Sequence, residues 1–170
     1  KDKEDFAKET ARRVSNNAIL SSHTGPSDGR YIAAPFGLEY SVKNYVREID
    51  KEKYMNPFLV KEFQNDHISD TDRIAPVSYK YNLSSSTTYM VAVPDGYKIT
   101  YHPKNTSFKQ AHFGFEVSFT QSGQYMICHQ TNYINLPDLL LHKEEFTQWN
   151  LYVKKLNELY SETIIFESLK

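Results

Sequence analysis

The stretch HFGFEVSFTQSGQYMICHQTNYINL, residues 112–136, alternates large apolar side chains with small or polar ones in its first half. The apolar residues of that half recur at every second position, the period of a β-strand with one face on a core. They are Phe113, Phe115, Val117 and Phe119. Because "QSG" interrupts the pattern before an extended stretch resumes, residues 112–136 predict a β-hairpin.

The register of this hairpin depends on the length of its loop. A three-residue loop at residues 121–123 places Phe119 opposite Tyr125, and it pairs apolar with apolar side chains. A two-residue loop instead places Phe119 opposite Met126. Matching of the side chains favours the three-residue loop.

The same alternation continues outside the hairpin. "VSYKYNL" (residues 77–83) and "TTYMVAV" (residues 87–93) read as strands, and "PDGY" (residues 94–97) reads as a turn, with a Pro that fixes φ and a Gly that tolerates positive φ. "TIIFE", residues 163–167, reads as a closing strand that could pair at a sheet edge. The region after Tyr31 is therefore predicted to be mainly β.

Two stretches have a helical period instead. Between about residues 143 and 161, apolar side chains recur at steps of three and four, which predicts an amphipathic helix. They are Phe146, Trp149, Val153, Leu156 and Tyr160. Residues 1–22 contain a looser helical pattern and end at the turn-rich "SSHTGPSDG". The predicted organisation is a helical N-terminal segment (1–22) and an antiparallel β-sandwich-like domain (30–170) with the C-terminal helix packed on its sheet.

The composition limits the classes of function. The chain has 170 residues, 39% of them hydrophobic, and a net charge of -1, and its basic clusters are no larger than pairs such as Arg12-Arg13. These values describe a globular domain and argue against a nucleic-acid partner. No apolar run reaches the roughly 20 residues of a membrane helix. The charged opening "KDKEDF" is unlike a signal peptide, and we expect the chain to be a segment of a longer protein.

The pair most suggestive of catalysis is Cys128-His129, because a thiolate and an imidazole can act together as nucleophile and base. Neighbouring side chains of a strand point to opposite faces, so these two cannot form a hydrogen bond within one strand. The pattern favours a small buried thiol, and a dyad would need another histidine folded over Cys128.

A second candidate is the acidic stretch "NDHISDTDR", residues 65–73. Its oxygen and imidazole groups could hold a hard cation, but the spacing lacks the regular pattern and central Gly of a calcium loop. The candidate ligands are Asp66, His67, Asp70 and Asp72. We interpret the stretch as a polar loop with Asp-stabilised turns, leading into a strand at Arg73.

The aromatic residues form a third candidate, since 14% of the chain is Phe, Trp or Tyr. Exposed rings could stack on sugars or hold a peptide, whereas buried rings fill a β-sandwich core. Burial of Tyr79, Tyr81, Phe115 and Phe119 would indicate a core, and a contiguous exposed patch would indicate a binding surface. Trp149 lies on the apolar stripe of the helix, which favours packing against the sheet.

Three runs of the sequence resemble a known family. They are "DRIAPVSYKYNL" (residues 72–83), "YMVAVPDGYKITYHP" (89–103) and "EEFTQWNLYVKKLNELYSETIIF" (144–166). Together they are similar to the C-terminal β-rich domain that follows the catalytic core in bacterial transglutaminase-like proteins. The resemblance covers about residues 60–168.

That resemblance implies an accessory role. The family's papain-like core has a Cys at a helix start, whereas Cys128 lies in a predicted strand, so no catalytic residue carries over. We therefore expect no enzyme activity and no catalytic, cofactor-binding or metal residue in this chain. The resemblance also implies a neighbouring catalytic domain as partner and an exported protein, periplasmic or extracellular.

Two functions from different classes follow. In the first, the chain is a non-catalytic domain that packs on a transglutaminase-like or protease-like core and shapes substrate access. In the second, it is a stand-alone glycan- or peptide-binding module that uses exposed aromatic side chains.

Overall fold

A computed structural model of the protein describes residues 7–9, 11–12, 18–24 and 37–170. Its secondary structure is mainly β, and every strand pair is antiparallel. Contacts divide the chain into two units, Lys1–Tyr45 and Val46–Lys170.

The first unit combines helical residues with a two-stranded sheet. Residues 7–9 and 11–12 are helical, and β1 (Ala18–Thr24) pairs with β2 (Gly37–Val42). The prediction of helix up to residue 22 is wrong from Ala18 onward. Its parts at residues 1–6, 10 and 13–17 lie outside the described residues. A short apolar run such as Ala18 to Leu20 fits a helix and a strand equally well, and pairing with β2 decides it.

The second unit contains two four-stranded sheets and a two-stranded one. The first sheet has the order β6-β10-β9-β8, the second β3-β4-β12-β7, and the third pairs β11 with β5. The strands are β3 (Arg47–Ile49), β4 (Glu52–Met55), β5 (Val77–Ser78), β6 (Leu83–Ala92), β7 (Tyr97–Tyr101), β8 (Thr106–Lys109), β9 (Phe113–Ser122), β10 (Tyr125–Ile134), β11 (Leu140–Leu141) and β12 (Ile164–Ser168).

The predicted amphipathic helix is confirmed. Two 3-10 turns, Pro137–Leu139 and Lys143–Glu145, lead into the C-terminal helix, Phe146–Tyr160. Its buried stripe contains all five residues that the period indicated, together with Tyr152 and Leu159. The stripe packs on the first sheet, where the Trp149 ring meets Phe113 edge-on at 5.2 Å between centroids.

One core joins the two larger sheets and the helix. The inner face of β9 contributes Phe113, Phe115, Val117 and Phe119, as predicted, and β12 contributes Ile164 and Phe166. Tyr89 and Val91 of β6 point to the same interior, and the "PDGY" turn closes with Tyr97 N–H donating to the Pro94 carbonyl. The predicted class, an antiparallel β-rich domain with an N-terminal helix and a packed C-terminal helix, is confirmed.

The register of the β9-β10 hairpin differs from both alternatives. Phe119 lies opposite Cys128, because β9 continues to Ser122 and the turn is Gly123 with Gln124. Gly123 has φ of 55°, the left-handed conformation that a two-residue hairpin turn requires at that position. The inner face of β10 therefore carries Met126 and Cys128, and Tyr125 lies on the opposite side.

Two other strand predictions need correction. Residues 77–83 do not form one strand: β5 ends at Ser78, and the chain resumes extended pairing at Leu83. Tyr81 falls in the interruption and is 67% exposed. The closing strand β12 exists but lies between β4 and β7 and not at a sheet edge. It pairs with both of these strands, and its side chains Ile164 and Phe166 are buried in the core.

Gly114 gives a first testable prediction. A Cβ at this buried position would lie 2.5 Å from the Phe108 carbonyl oxygen and 2.7 Å from the Tyr133 ring, which crosses the sheet there. We expect Gly114→Ala to lower the free energy of unfolding by about 1–3 kcal/mol, since the backbone of β8 has little room to move. Urea denaturation followed by circular dichroism measures this. Ser118→Ala, on the same strand, is the control, and equal stability of the two variants would contradict the prediction.

Candidate functional site

The outer face of the first sheet combines exposed apolar and polar side chains. It is formed by the even-numbered residues of β6 and β9 and the odd-numbered residues of β10. Near the hairpin turn this face is apolar: Met90 is 63% exposed and lies opposite Ile127, and Tyr125, 46% exposed, lies opposite Ala92. Exposed apolar side chains in neighbouring rows form a candidate contact surface.

The rest of the outer face is polar. The Thr88 hydroxyl lies 3.0 Å from Nδ1 of His129, its partner across β6 and β10. Lys109 and Glu116 form an ion pair at 2.7 Å, which holds the pKa of Glu116 below its usual value. Both side chains are exposed, so the pair adds little stability. The face thus changes from apolar to polar along the strands.

Cys128 and His129 are on opposite faces, as the alternation predicted. Cys128 is fully buried on the inner face of β10, and burial raises the pKa of its thiol to about 12. His129 is exposed on the outer face. A thiol that ionises so poorly in an apolar environment is unsuited to be a nucleophile.

The acidic stretch is a turn stabilised by its own side chains. Asp70 Oδ1 accepts hydrogen bonds from the backbone N–H groups of Asp72 and Arg73, both at 3.2 Å. Asp66 and His67 belong to the same exposed loop, and strand β5 starts only at Val77. Across residues 7–9, 11–12, 18–24 and 37–170, no group of three His, Cys, Asp or Glu side chains is arranged to hold a metal ion.

The aromatic side chains divide between core and surface. Phe115 and Phe119 are buried, Tyr79 is half-buried with its ring 5.6 Å from that of Trp149, and Tyr81 is exposed. Trp149 is fully buried, which confirms its packing role. Three of the four rings considered for the core are therefore buried or half-buried, and Tyr81 is the one that is exposed.

A cluster of buried polar side chains on the inner face of β10 was not predicted from the sequence. Gln130 and Asn132 occupy inner positions with 3% and 4% exposure. Asn132 donates to Glu62 Oε2 at 2.7 Å, and Gln130 donates to the Tyr160 hydroxyl at 2.9 Å. Ser85 of β6 donates to the same Glu62 oxygen. Partners from distant segments accept hydrogen bonds from both side-chain NH2 groups, so no local pattern signals their burial. Within the described residues, Gln130 Oε1 is buried without a hydrogen-bond partner.

The C-terminal helix also holds the loop at residues 64–68 by side-chain hydrogen bonds. Asn150 both accepts from the Ile68 N–H and donates to the Ile68 carbonyl, at 2.8 and 2.9 Å. Trp149 Nε1 donates to the Asp66 carbonyl at 2.7 Å, and Asn157 donates to the Gln64 carbonyl at 3.0 Å. These bonds fix residues 64–68 along the helix without a strand ladder.

These features define the class of the protein: an antiparallel β-rich domain with a packed helix, a buried thiol and a partly apolar open sheet face. Residues 51–166 match the model of DUF3858, a domain of unknown function with a solved structure. The chain belongs to this family. Within the part of the chain that the structure describes, no helix is long and apolar enough to cross a membrane.

A solved structure has a similar fold. It is described as a putative protease from Parabacteroides distasonis ATCC 8503, with a TM-score of 0.50 and 11% sequence identity. The match covers 62% of this chain and 20% of that chain, so this protein spans about a fifth of the structure that it matches. A comparison with curated proteins finds no match.

Proposed function

We propose that this chain is a non-catalytic accessory domain of a larger transglutaminase-like or protease-like envelope protein. It packs on the catalytic core or shapes access of substrate to it. The observation that carries the proposal is the position of Cys128, the one thiol of the chain, which is fully buried and has a pKa raised to about 12. The chemistry of a thiol enzyme then belongs to another domain of the protein.

Two further observations support this role. The fold is similar to a fifth of a much longer chain described as a putative protease. The outer face of the first sheet offers exposed Met90 and Tyr125 beside Ile127, a surface suited to contact with a neighbouring domain. The proposed location, periplasmic or extracellular, follows from the resemblance to exported transglutaminase-like proteins.

The test compares the isolated chain with the full-length gene product, using casein as probe for hydrolysis and for cross-linking. We expect no turnover by the isolated chain. In the full-length protein, Cys128→Ala should leave turnover unchanged, whereas Tyr125→Ser with Ile127→Ser should change KM or kcat at least about threefold through the lost contact. Thr120→Ala, on the same face, is the control.

Two results would overturn the proposal. The first is casein turnover by the isolated chain that Cys128→Ala abolishes. The second is a gene product without a Cys, His and Asp core next to this domain.

The alternative, a stand-alone glycan- or peptide-binding module, is favoured by three exposed rings among the described residues, Tyr81, Tyr101 and Tyr125. A screen of the isolated chain against cell-wall sugars and peptides tests it. Loss of binding in Tyr81→Ala or Tyr125→Ala, with unchanged stability, would support this module. Tyr79 is a poor choice for the screen because its ring contacts Trp149 in the core.

A further inference from the structure

Strand β6 is one edge of the first sheet among the described residues, and one side of its backbone faces away from that sheet. The Val93 N–H donates to the Gln124 carbonyl at 2.8 Å, so Val93 and Gln124 are a hydrogen-bonded pair. In an antiparallel ladder, hydrogen-bonded pairs alternate with pairs that are not hydrogen-bonded. Odd-numbered residues of β6 therefore direct their backbone groups to β10, and even-numbered residues direct theirs away from the sheet. These are Ser84, Ser86, Thr88, Met90 and Ala92.

No backbone hydrogen bond connects these five residues to any other part of the described chain outside the β6-β10 ladder. The ladder itself runs without a bulge through ten consecutive pairs, from Tyr125 with Ala92 to Ile134 with Leu83. β6 thus presents a long, regular row of amide and carbonyl groups, which is a template for an added strand.

The other edges of the two larger sheets carry the usual protection against strand addition. β8 has four residues and includes Lys109, β3 has three and includes Arg47 and Glu48, and β7 includes Lys98. Short length and charged side chains block pairing with another chain. β6, LSSSTTYMVA, has ten residues and contains no charge and no proline. Among the described residues, it is the one of these four edge strands that has neither short length nor a charged side chain.

We propose that β6 pairs with β6 of a second copy of this chain, in antiparallel orientation about a two-fold axis. The two sheets then join into one continuous sheet of eight strands. A second copy fits because the strand is its own complement: with no charged residue in β6, no like charges can face each other across the axis.

The proposed register places Thr88 on the axis, opposite Thr88 of the partner copy. Ser86 then lies opposite Met90, and Ser84 opposite Ala92, so all five outward residues find partners and the overlap is complete. Cross-strand Thr pairs are favourable. The assembly closes as a dimer, because the far edge of each sheet is the short, Lys109-bearing β8.

Sedimentation velocity from low micromolar to near-millimolar concentration tests the proposal on the 170-residue chain. We expect a reversible monomer–dimer equilibrium. Thr88→Lys should raise the dimer Kd at least about tenfold, because the two lysines meet on the axis. Thr88→Glu should do the same, and an equimolar mixture of the two variants should dimerise again. Thr120→Lys, on the outer face of the central strand β9, should leave the equilibrium unchanged.

Cross-linking provides a second measurement. Opposed Cα atoms in a hydrogen-bonded antiparallel pair lie about 5.5 Å apart, within reach of a disulfide. Because Cys128 is buried, Thr88→Cys adds one accessible thiol, and mild oxidation should give a covalent dimer. Three results would each overturn the proposal: a wild-type chain that is monomeric throughout, a Thr88→Lys variant that dimerises normally, or mixed variants that stay monomeric.

Discussion

Trp149→Ala should lower the free energy of unfolding by about 3–5 kcal/mol, the range for large aromatic side chains removed from a core. Trp149 is fully buried and touches rings from three segments: Phe113 at 5.2 Å, Tyr79 at 5.6 Å and Phe63 at 6.1 Å. Its Nε1 donates to the Asp66 carbonyl. The substitution therefore leaves a cavity and an unpaired carbonyl together.

Urea denaturation monitored by far-UV circular dichroism measures this loss. Since folded domains are stable by only about 5–15 kcal/mol, Trp149→Phe serves as a second variant that keeps most of the packing and loses the hydrogen bond. Leu151→Ala, on the exposed side of the same helix, is the matched control and should cost less than about 1 kcal/mol. A Trp149→Ala variant as stable as Leu151→Ala would show that the ring is not central to the core.

Cys128 should react with a disulfide reagent at least about a thousandfold more slowly in the folded protein than in denaturant. Its pKa is raised from 9.0 to about 12, which lowers the thiolate fraction near neutral pH by that factor, and burial adds to the protection. The Thr88→Cys variant provides an exposed thiol as a control in the same fold. One rapid equivalent of reaction in the native wild type would contradict the prediction.

The same thiol makes stability depend on alkaline pH. The folded state holds the neutral form, so its contribution is complete below about pH 9 and is lost as the pH rises towards 12. The loss is about 1.4 kcal/mol for each pH unit in that window. Above pH 10 the buried hydroxyls of Tyr152 and Tyr160, whose pKa values burial also raises, add to the loss. Cys128→Ala should flatten the profile between pH 9 and 10.

Elements whose packing follows a single period could be predicted from the sequence. The C-terminal helix and the inner face of β9 repeat apolar residues at one regular spacing, and each buries the face that the spacing indicates. The opposite placement of Cys128 and His129 follows from the same alternation. In these cases the local pattern and the core agree.

The register of the β9-β10 hairpin could not be predicted by matching apolar residues. The true register buries Gln130 and Asn132, whose partners Tyr160 and Glu62 are distant in the sequence. Matching apolar residues across the hairpin assigns the wrong side chains of β10 to the inner face, because two inner positions hold the amides Gln130 and Asn132. The candidate contact surface could not be predicted for the same reason. Matching of apolar residues places Tyr125 on the inner face with Phe119, whereas Tyr125 lies on the outer face.

The central place of β12 in the second sheet has a consequence for synthesis on the ribosome. β4 and β7 do not pair with each other: β12, residues 164–168, lies between them and joins both. A nascent chain in which residue 168 is still inside the exit tunnel cannot complete that sheet, whereas the β9-β10 hairpin can already form. The second sheet can therefore form only after residue 168 has left the exit tunnel, and until then the emerging chain exposes β4 and β7 to chaperones.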